Sequence, residues 1–547
     1  MLDVSEILVL VGAGSIYIFY AIGSLCKFLY RTRYKCSIHT AAERLFSGWE
    51  KNQMNMILVA VATYQLLGPG VLNQMLGDDF LQAIMYIVSR ALGFVVCVIY
   101  WNFLARIGMK TVSEYLQKRY GGRFAAYVQV LNRIFGLYHL WKSHMILWDY
   151  YGLFNVRTLL PFFYFMICFG TVSATGGMSV VLAGCPLLWL FNISGRLILF
   201  RRTIPYMFRS SPFKLLPDAC YSSLSPTKFF YNLCEILTIQ PIYNMYLAIG
   251  NRKRANIAMG IALILFLIDT AMYTCVTNGM QHYSKIYGIN LHQVIHHMYG
   301  TELSRSGIFY STSIPKRVVY ISYEHFILLL GTHVTYIIAI FILHTQSICT
   351  NIYLHGLPLW MRRGLISDGH DLQIAYSCLY LVISYLFALS LMRSSSSSMT
   401  SEAMLHSPKV AGSMITPVAV LILLGPLLSD VWTIPAAMTI AISVIFSVVF
   451  AYQDPERLWE NCLTPWYETI DFVFALLCCI IFSIFFRTRE QCQPELFFRR
   501  RLQIRKPMVQ GFVMKLADKS IFLATTKALI SASKVASQSG RRRIIDS

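Results

Sequence analysis

No part of this chain limits its possible folds more than the stretch from Met54 to Arg123. An apolar segment there is interrupted by Gly68-Pro69-Gly70, and a second apolar segment follows. Next comes the hydrophilic run Thr111-Val112-Ser113-Glu114-Tyr115-Leu116-Gln117-Lys118-Arg119-Tyr120-Gly121. Gly-Pro-Gly removes a backbone donor and two side chains where a helix would otherwise continue. In lipid, such a break survives only where the freed carbonyls and amides line a cavity or bind something. Discontinuous helices of this kind build ion and solute sites near the bilayer midplane. The hydrophilic run lies among Arg106, Lys110, Lys118, Arg119 and Arg123, and it predicts a cytoplasmic loop that holds a short helix.

A membrane setting follows from composition. The chain is 56% hydrophobic and 13% charged, whereas soluble domains carry roughly 25% charged residues. Apolar runs of about 20 residues recur, each long enough to cross roughly 30 Å of hydrocarbon. These runs predict an all-α polytopic membrane protein. About thirteen spans are centred near Ser15, Gln65, Gly93, Leu137, Phe165, Leu188, Gln240, Phe266, Ile340, Ile383, Ala419, Ile440 and Leu477. The first, from Ile7 to Leu29, follows Asp3 and Glu6 rather than a basic region, so it reads as a retained helix.

The net charge of +21 raises nucleic acid as a partner. The basic residues, however, flank spans or crowd the last sixty positions, where orientation and anionic lipid account for them. With the N-terminus outside and the C-terminus cytoplasmic, about 30 of the 47 Lys and Arg face inward. The basic stretch from Arg201 to Lys228 is the exception, assigned outside as a long loop. The 14 cysteines are scattered, many in apolar runs, and show no paired Cys-x-x-Cys spacing that would hold a metal. No glycine-rich nucleotide loop is present, which argues against transport driven by ATP.

Two sets of five spans, the second to sixth and the seventh to eleventh, would be related by inverted topology because five is odd. Each set opens on an interrupted span, with Gly68-Pro69-Gly70 in one and Gln240-Pro241 in the other. Paired interruptions at corresponding positions point to a transport site. The expected organisation is an N-terminal span and loop (1–53), a first repeat (54–200), a loop (201–228) and a second repeat (229–430). Two further spans (431–486) and a basic cytoplasmic tail (487–547) complete it. Arg393 to Pro408, with its serine run, reads as a low-complexity loop.

In several places the chain resembles the sodium/solute symporters, as a divergent member. Thr111 to Tyr120 is similar to that family's "T-x-x-E-Y-L-x-x-R-[FY]" cytoplasmic segment, and Leu66-Leu67-Gly68 to its second span. Thr171 to Val181 is similar to the hairpin "Y-T-x-x-G-G-L-x-A-V". Gln240 to Ala248 with Arg252-Lys253-Arg254-Ala255 is similar to "N-Q-x-x-x-Q-R-Y-L-A" and its basic loop. The likeness covers roughly residues 7 to 486. It implies a five-plus-five inverted-repeat core and symport of a small solute with sodium in the plasma membrane, with no other cofactor or metal. Organic anions, vitamins or iodide are weakly preferred as solutes.

The resemblance also implies site residues. Sodium would lie between backbone carbonyls at Leu58 and Val61 and ninth-span positions that fall on Leu343, Gln346 and Ser347. Only Ser347 keeps the family's small hydroxyl. The solute cavity would be lined by Tyr64, Gln65, Gly68, Pro69, Thr238, Gln240 and Tyr243, with Arg133 facing it. Tyr64 and Tyr243 also suit plain interhelical packing, whereas Gln65 and Gln240 are amides within spans, each beside a break.

Arg90, Arg133, Lys142, Glu235 and Asp269 lie in or near apolar segments, and each costs roughly 2.5–3.5 kcal/mol at a helix centre unless paired. Glu235 or Asp269 is expected to pair a basic group. Two other readings remain. One is a non-coupled facilitator or sensor with the same fold. The other is a membrane-bound acyltransferase using a histidine such as His325, His333 or His344.

Overall fold

The computed structural model describes residues 55–67, 80–121, 178–207, 227–288, 343–352, 369–396, 415–427, 433–452 and 467–485. It also describes isolated positions between 15 and 26, Val294 and Met298. Every regular element among the described residues is a helix: α1 Met56–Leu67, α2 Phe80–Ile107, α3 Val112–Tyr120, α4 Met178–Met207, α5 Thr227–Thr238 and α6 Gln240–Ala248. The order continues with α7 Arg252–Tyr287, α8 Leu343–Asn351, α9 Gly369–Ser396, α10 Ile415–Leu424, α11 Thr433–Tyr452 and α12 Tyr467–Phe485.

Helix α2 shows why these elements belong in lipid. Ile84, Val88, Leu92, Val95 and Ile99 recur at helical spacing and are all exposed, while Arg90, Phe94, Cys97, Trp101 and Leu104 are buried. A helix that is apolar on both its packed and its open face is at home in hydrocarbon. α7 repeats the arrangement with Ile257, Ile264, Leu267 and Ile268 exposed. Ile87–Ile107 and Arg252–Tyr287 are long and apolar enough to cross a membrane. At 36 residues α7 is about 54 Å long, so its ends project beyond the hydrocarbon. Asn251 caps its first turn through Oδ1, which accepts from the Lys253 amide at 3.0 Å, and Gly288 closes it in the left-handed region with φ 63°.

The helices pack closely around α1, which is buried from Val59 to Leu67 and lies against α4, α6 and α7. α2 packs along α5, where Gly93 allows the approach: a Cβ there would sit 3.2 Å from the Leu233 Cα. α7 packs along α4, and a Cβ on Gly279 would lie 2.7 Å from the Thr203 side chain and carbonyl. α8 packs on α6 and α9, and α12 on α11 and α5.

Two boundaries differ from the sequence reading. α4 continues to Met207 rather than stopping at residue 200, and its last turns stay packed on α7, with the Thr203 hydroxyl donating to Leu199 O at 3.0 Å and Thr203 lying against Gly279. α9 runs on to Ser396, past the expected start of a loop at Arg393, since its first serines contain no helix breaker.

Candidate functional site

The seventh span is broken where Gln240-Pro241 predicted. Ile239 leaves helical geometry (φ −73°, ψ 89°) between α5 and α6, and Pro241 sits in the first turn of α6, where a missing N–H is harmless. On the α5 side Thr238 Oγ1 donates to Glu235 O at 2.8 Å. On the α6 side Gln240 and Tyr243 reach the hydrophilic segment. Gln240 Oε1 accepts from the Val112 amide at 3.0 Å and its Nε2 donates to Asn244 Oδ1 at 2.8 Å. The Tyr243 hydroxyl donates to Met109 O at 2.6 Å. Gln240 Oε1 and the Tyr243 hydroxyl are therefore engaged at the approach to α3, and Gln240 Nε2 within α6.

α3 is the short loop helix that the sequence predicted. Thr111 Oγ1 accepts from the Glu114 amide at 3.0 Å, Glu114 Oε2 accepts from the Lys110 amide at 2.8 Å, and Lys118 pairs with Glu114 at 2.8 Å. This reciprocal capping accounts for Thr and Glu three residues apart. The remaining motif residues grip α10. Arg119 Nε donates to Gly425 O at 2.9 Å, the Tyr120 hydroxyl to Leu421 O at 2.7 Å, and the Tyr100 hydroxyl of α2 to Leu423 O at 2.9 Å. The Thr433 hydroxyl at the head of α11 donates to Tyr120 O. Thus α3 is fixed to α6 on one side and to the α10–α11 turn on the other.

At the other expected break, α1 is described as far as Leu67; Gly68, Pro69 and Arg133 lie outside the described residues. Arg90 of α2 donates through Nε to Leu67 O at 3.0 Å, and through one terminal nitrogen to Glu235 Oε2 at 3.0 Å and Asn232 Oδ1 at 3.1 Å. Asn232 in turn donates to Ser89 Oγ at 2.7 Å. The guanidinium therefore joins the end of α1 to α5, the first half of the other broken span.

A second buried charge cluster surrounds Tyr64. Its hydroxyl donates to Asp269 Oδ2 of α7, and Arg196 of α4 pairs with the same oxygen while donating to the Tyr64 hydroxyl at 3.1 Å. Gln65 Nε2 donates to Cys185 O at 3.3 Å, and its Oε1 meets no partner among the described residues. Both carboxylates flagged in the sequence are thus paired with arginines. Arg196 was not anticipated, although an aspartate within a span calls for a nearby cation and Arg196 interrupts the apolar run Leu187 to Phe200.

The positions implied for sodium fall on two helices. Val61 is buried and Leu58 half-buried on α1, while Leu343, Gln346 and Ser347 are buried on α8. α6 packs against both helices. Buried side-chain polar atoms that meet no partner among the described residues include Thr63 Oγ1 and Gln65 Oε1 on α1, both amide atoms of Gln346 on α8 and Gln373 Oε1 on α9, while the Tyr380 hydroxyl of α9 is hydrogen-bonded with Ser384 and Thr345. Tyr376 donates to Gln346 O at 3.0 Å but leaves the Gln346 side chain open. Each unsatisfied group costs about 1–3 kcal/mol, a burden that ordered water or a polar ligand relieves.

No protein-family model and no curated protein matches this chain. Among solved structures the chain is similar to a Na+-coupled sialic acid symporter in a substrate-bound, outward-open state. The two share 13% identity at a TM-score of 0.64, over 88% of this chain and 99% of the other. The fold is that of a helical membrane transporter.

Proposed function

We propose that the chain is a secondary transporter of the sodium/solute symporter type, with about thirteen spans, moving a small organic solute or anion across the plasma membrane by alternating access. The observation that carries this reading is the packing of α1, whose described residues reach Leu67 just before Gly68-Pro69-Gly70, against α6, which begins after the break at Ile239. The likeness to a sodium-coupled symporter and the open polar atoms of α1 and α8 support it. The coupling sodium would be held by the carbonyls of Leu58 and Val61 with Leu343, Gln346 and Ser347. The solute would meet Tyr64, Gln65, Gly68, Pro69 and Thr238, with Arg133 facing an anion. Gln240 and Tyr243, bonded to the α3 segment, would act by holding the cavity wall. The N-terminus would face outward and the basic tail the cytoplasm.

An uncoupled facilitator is the second reading. It is favoured by Leu343 and Gln346 standing where the family pattern has small residues. Uptake of a labelled-solute panel into cells expressing the chain, in sodium and in choline buffer with Ser347→Ala alongside, decides between them. Sodium-dependent uptake that falls in Ser347→Ala supports symport. Uptake indifferent to sodium supports the facilitator. No uptake of any solute despite surface expression overturns both.

A further inference from the structure

The geometry points to Asp269 as a monovalent-cation seat whose resident cation is the tethered guanidinium of Arg196. A carboxylate buried among membrane helices requires a compensating positive charge, because an isolated ion there is far from its preferred solvent. Asp269 is 5% exposed, Arg196 7% and Tyr64 1%, so water does not supply it. One terminal nitrogen of Arg196 faces two oxygens at once, the phenolic oxygen of Tyr64 at 3.1 Å and Oδ2 of Asp269. The phenol completes the ring by donating to that same Oδ2. One charged and one neutral oxygen thus converge on a single positive nitrogen, two of the oxygen ligands that a small cation placed there in its stead would meet. The seat holds one negative charge, so it matches a monovalent ion; a divalent one would leave excess charge buried.

The seat also keeps an unused ligand. Asp269 Oδ1 is buried and meets no hydrogen-bond partner among the described residues. Of the two carboxylate oxygens the tethered guanidinium pairs with Oδ2, whereas a guanidinium free to reorient pairs with both in parallel. The three helices joined here are α1 and its two long neighbours α4 and α7. With Arg196 in place the carboxylate is compensated from within the chain and draws no cation from solution. The inference concerns this carboxylate and not the solute, so it stands or falls independently of the transport reading.

The test uses the purified full-length protein in detergent, with thermal unfolding followed in choline buffer. Low-millimolar guanidinium, sodium or potassium is then added, and each variant is compared with the wild type in the same buffer. Arg196→Ala is expected to melt several degrees below the wild type in choline and to recover at least half of that loss with guanidinium or a small alkali cation. Arg196→Ala/Asp269→Asn is expected to show no such recovery, having no charge to compensate. The inference is overturned if Arg196→Ala melts like the wild type in choline, or if no added cation restores it. Should the single variant fail to accumulate, accumulation of the double variant at wild-type level supports the countercharge, and its absence overturns it.

Discussion

The Nε of Arg90 donates to the carbonyl oxygen of Leu67 at 3.0 Å, so a side chain of α2 holds the last described turn of α1. The same guanidinium is 2% exposed and neutralises Glu235. Removing it in Arg90→Ala strands a buried carboxylate and is expected to cost about 3–5 kcal/mol. Arg90→Met/Glu235→Leu is expected to recover much of that loss, the remainder measuring the Leu67 and Asn232 contacts. Thermal unfolding of the single and double variants in detergent checks both.

Two glycines of α7 are expected to respond oppositely to alanine. At Gly279 the added Cβ meets the Thr203 side chain and carbonyl at 2.7 Å, so Gly279→Ala pushes α7 from α4 at a cost of about 1–3 kcal/mol. At Gly260 nothing lies within 4 Å, and Gly260→Ala is expected to be neutral or to stabilise by up to about 1 kcal/mol through helix propensity. Melting temperatures measured in one detergent separate the pair.

Tyr120→Phe and Arg119→Lys each remove a side-chain donor from a carbonyl at the end of α10, Leu421 O keeping its bond from the Gly425 amide. Arg119 is 1% exposed and its Nε reaches Gly425 O, while the Tyr120 hydroxyl reaches Leu421 O. Each change is expected to lower stability by about 1–3 kcal/mol. Amide hydrogen exchange is expected to quicken first over residues 421 to 433.

Gln346→Leu separates stability from function. Both amide atoms of Gln346 are buried without a partner, so an apolar replacement removes a penalty of about 1–3 kcal/mol. The variant is expected to melt higher than the wild type and to lose solute uptake. Higher melting with unchanged uptake would remove Gln346 from the site.

Much of the fold was legible because membrane spans announce themselves locally. The centres read at Gln65, Gly93, Leu188, Gln240, Phe266, Ile383, Ala419, Ile440 and Leu477 all fall on or immediately beside described helices. The break at Ile239 was legible because proline dictates its own backbone. What was hidden is non-local. Nothing near Arg196 in the sequence names Asp269 as its partner, and nothing near Arg119 names Gly425. Gln240 looked like a cavity residue because its position relative to a break is visible in sequence. That its amide is taken up by Val112 is visible only in three dimensions.

The trans-capping of α10 has a consequence for biogenesis. Three carbonyls at its end accept from Arg119, Tyr120 and Tyr100, side chains that leave the ribosome about 300 positions earlier. Until residue 425 is made, the Arg119 guanidinium has no Gly425 carbonyl to bind, so the contacts that fix α3 to α10 form only after the C-terminal half has been synthesised.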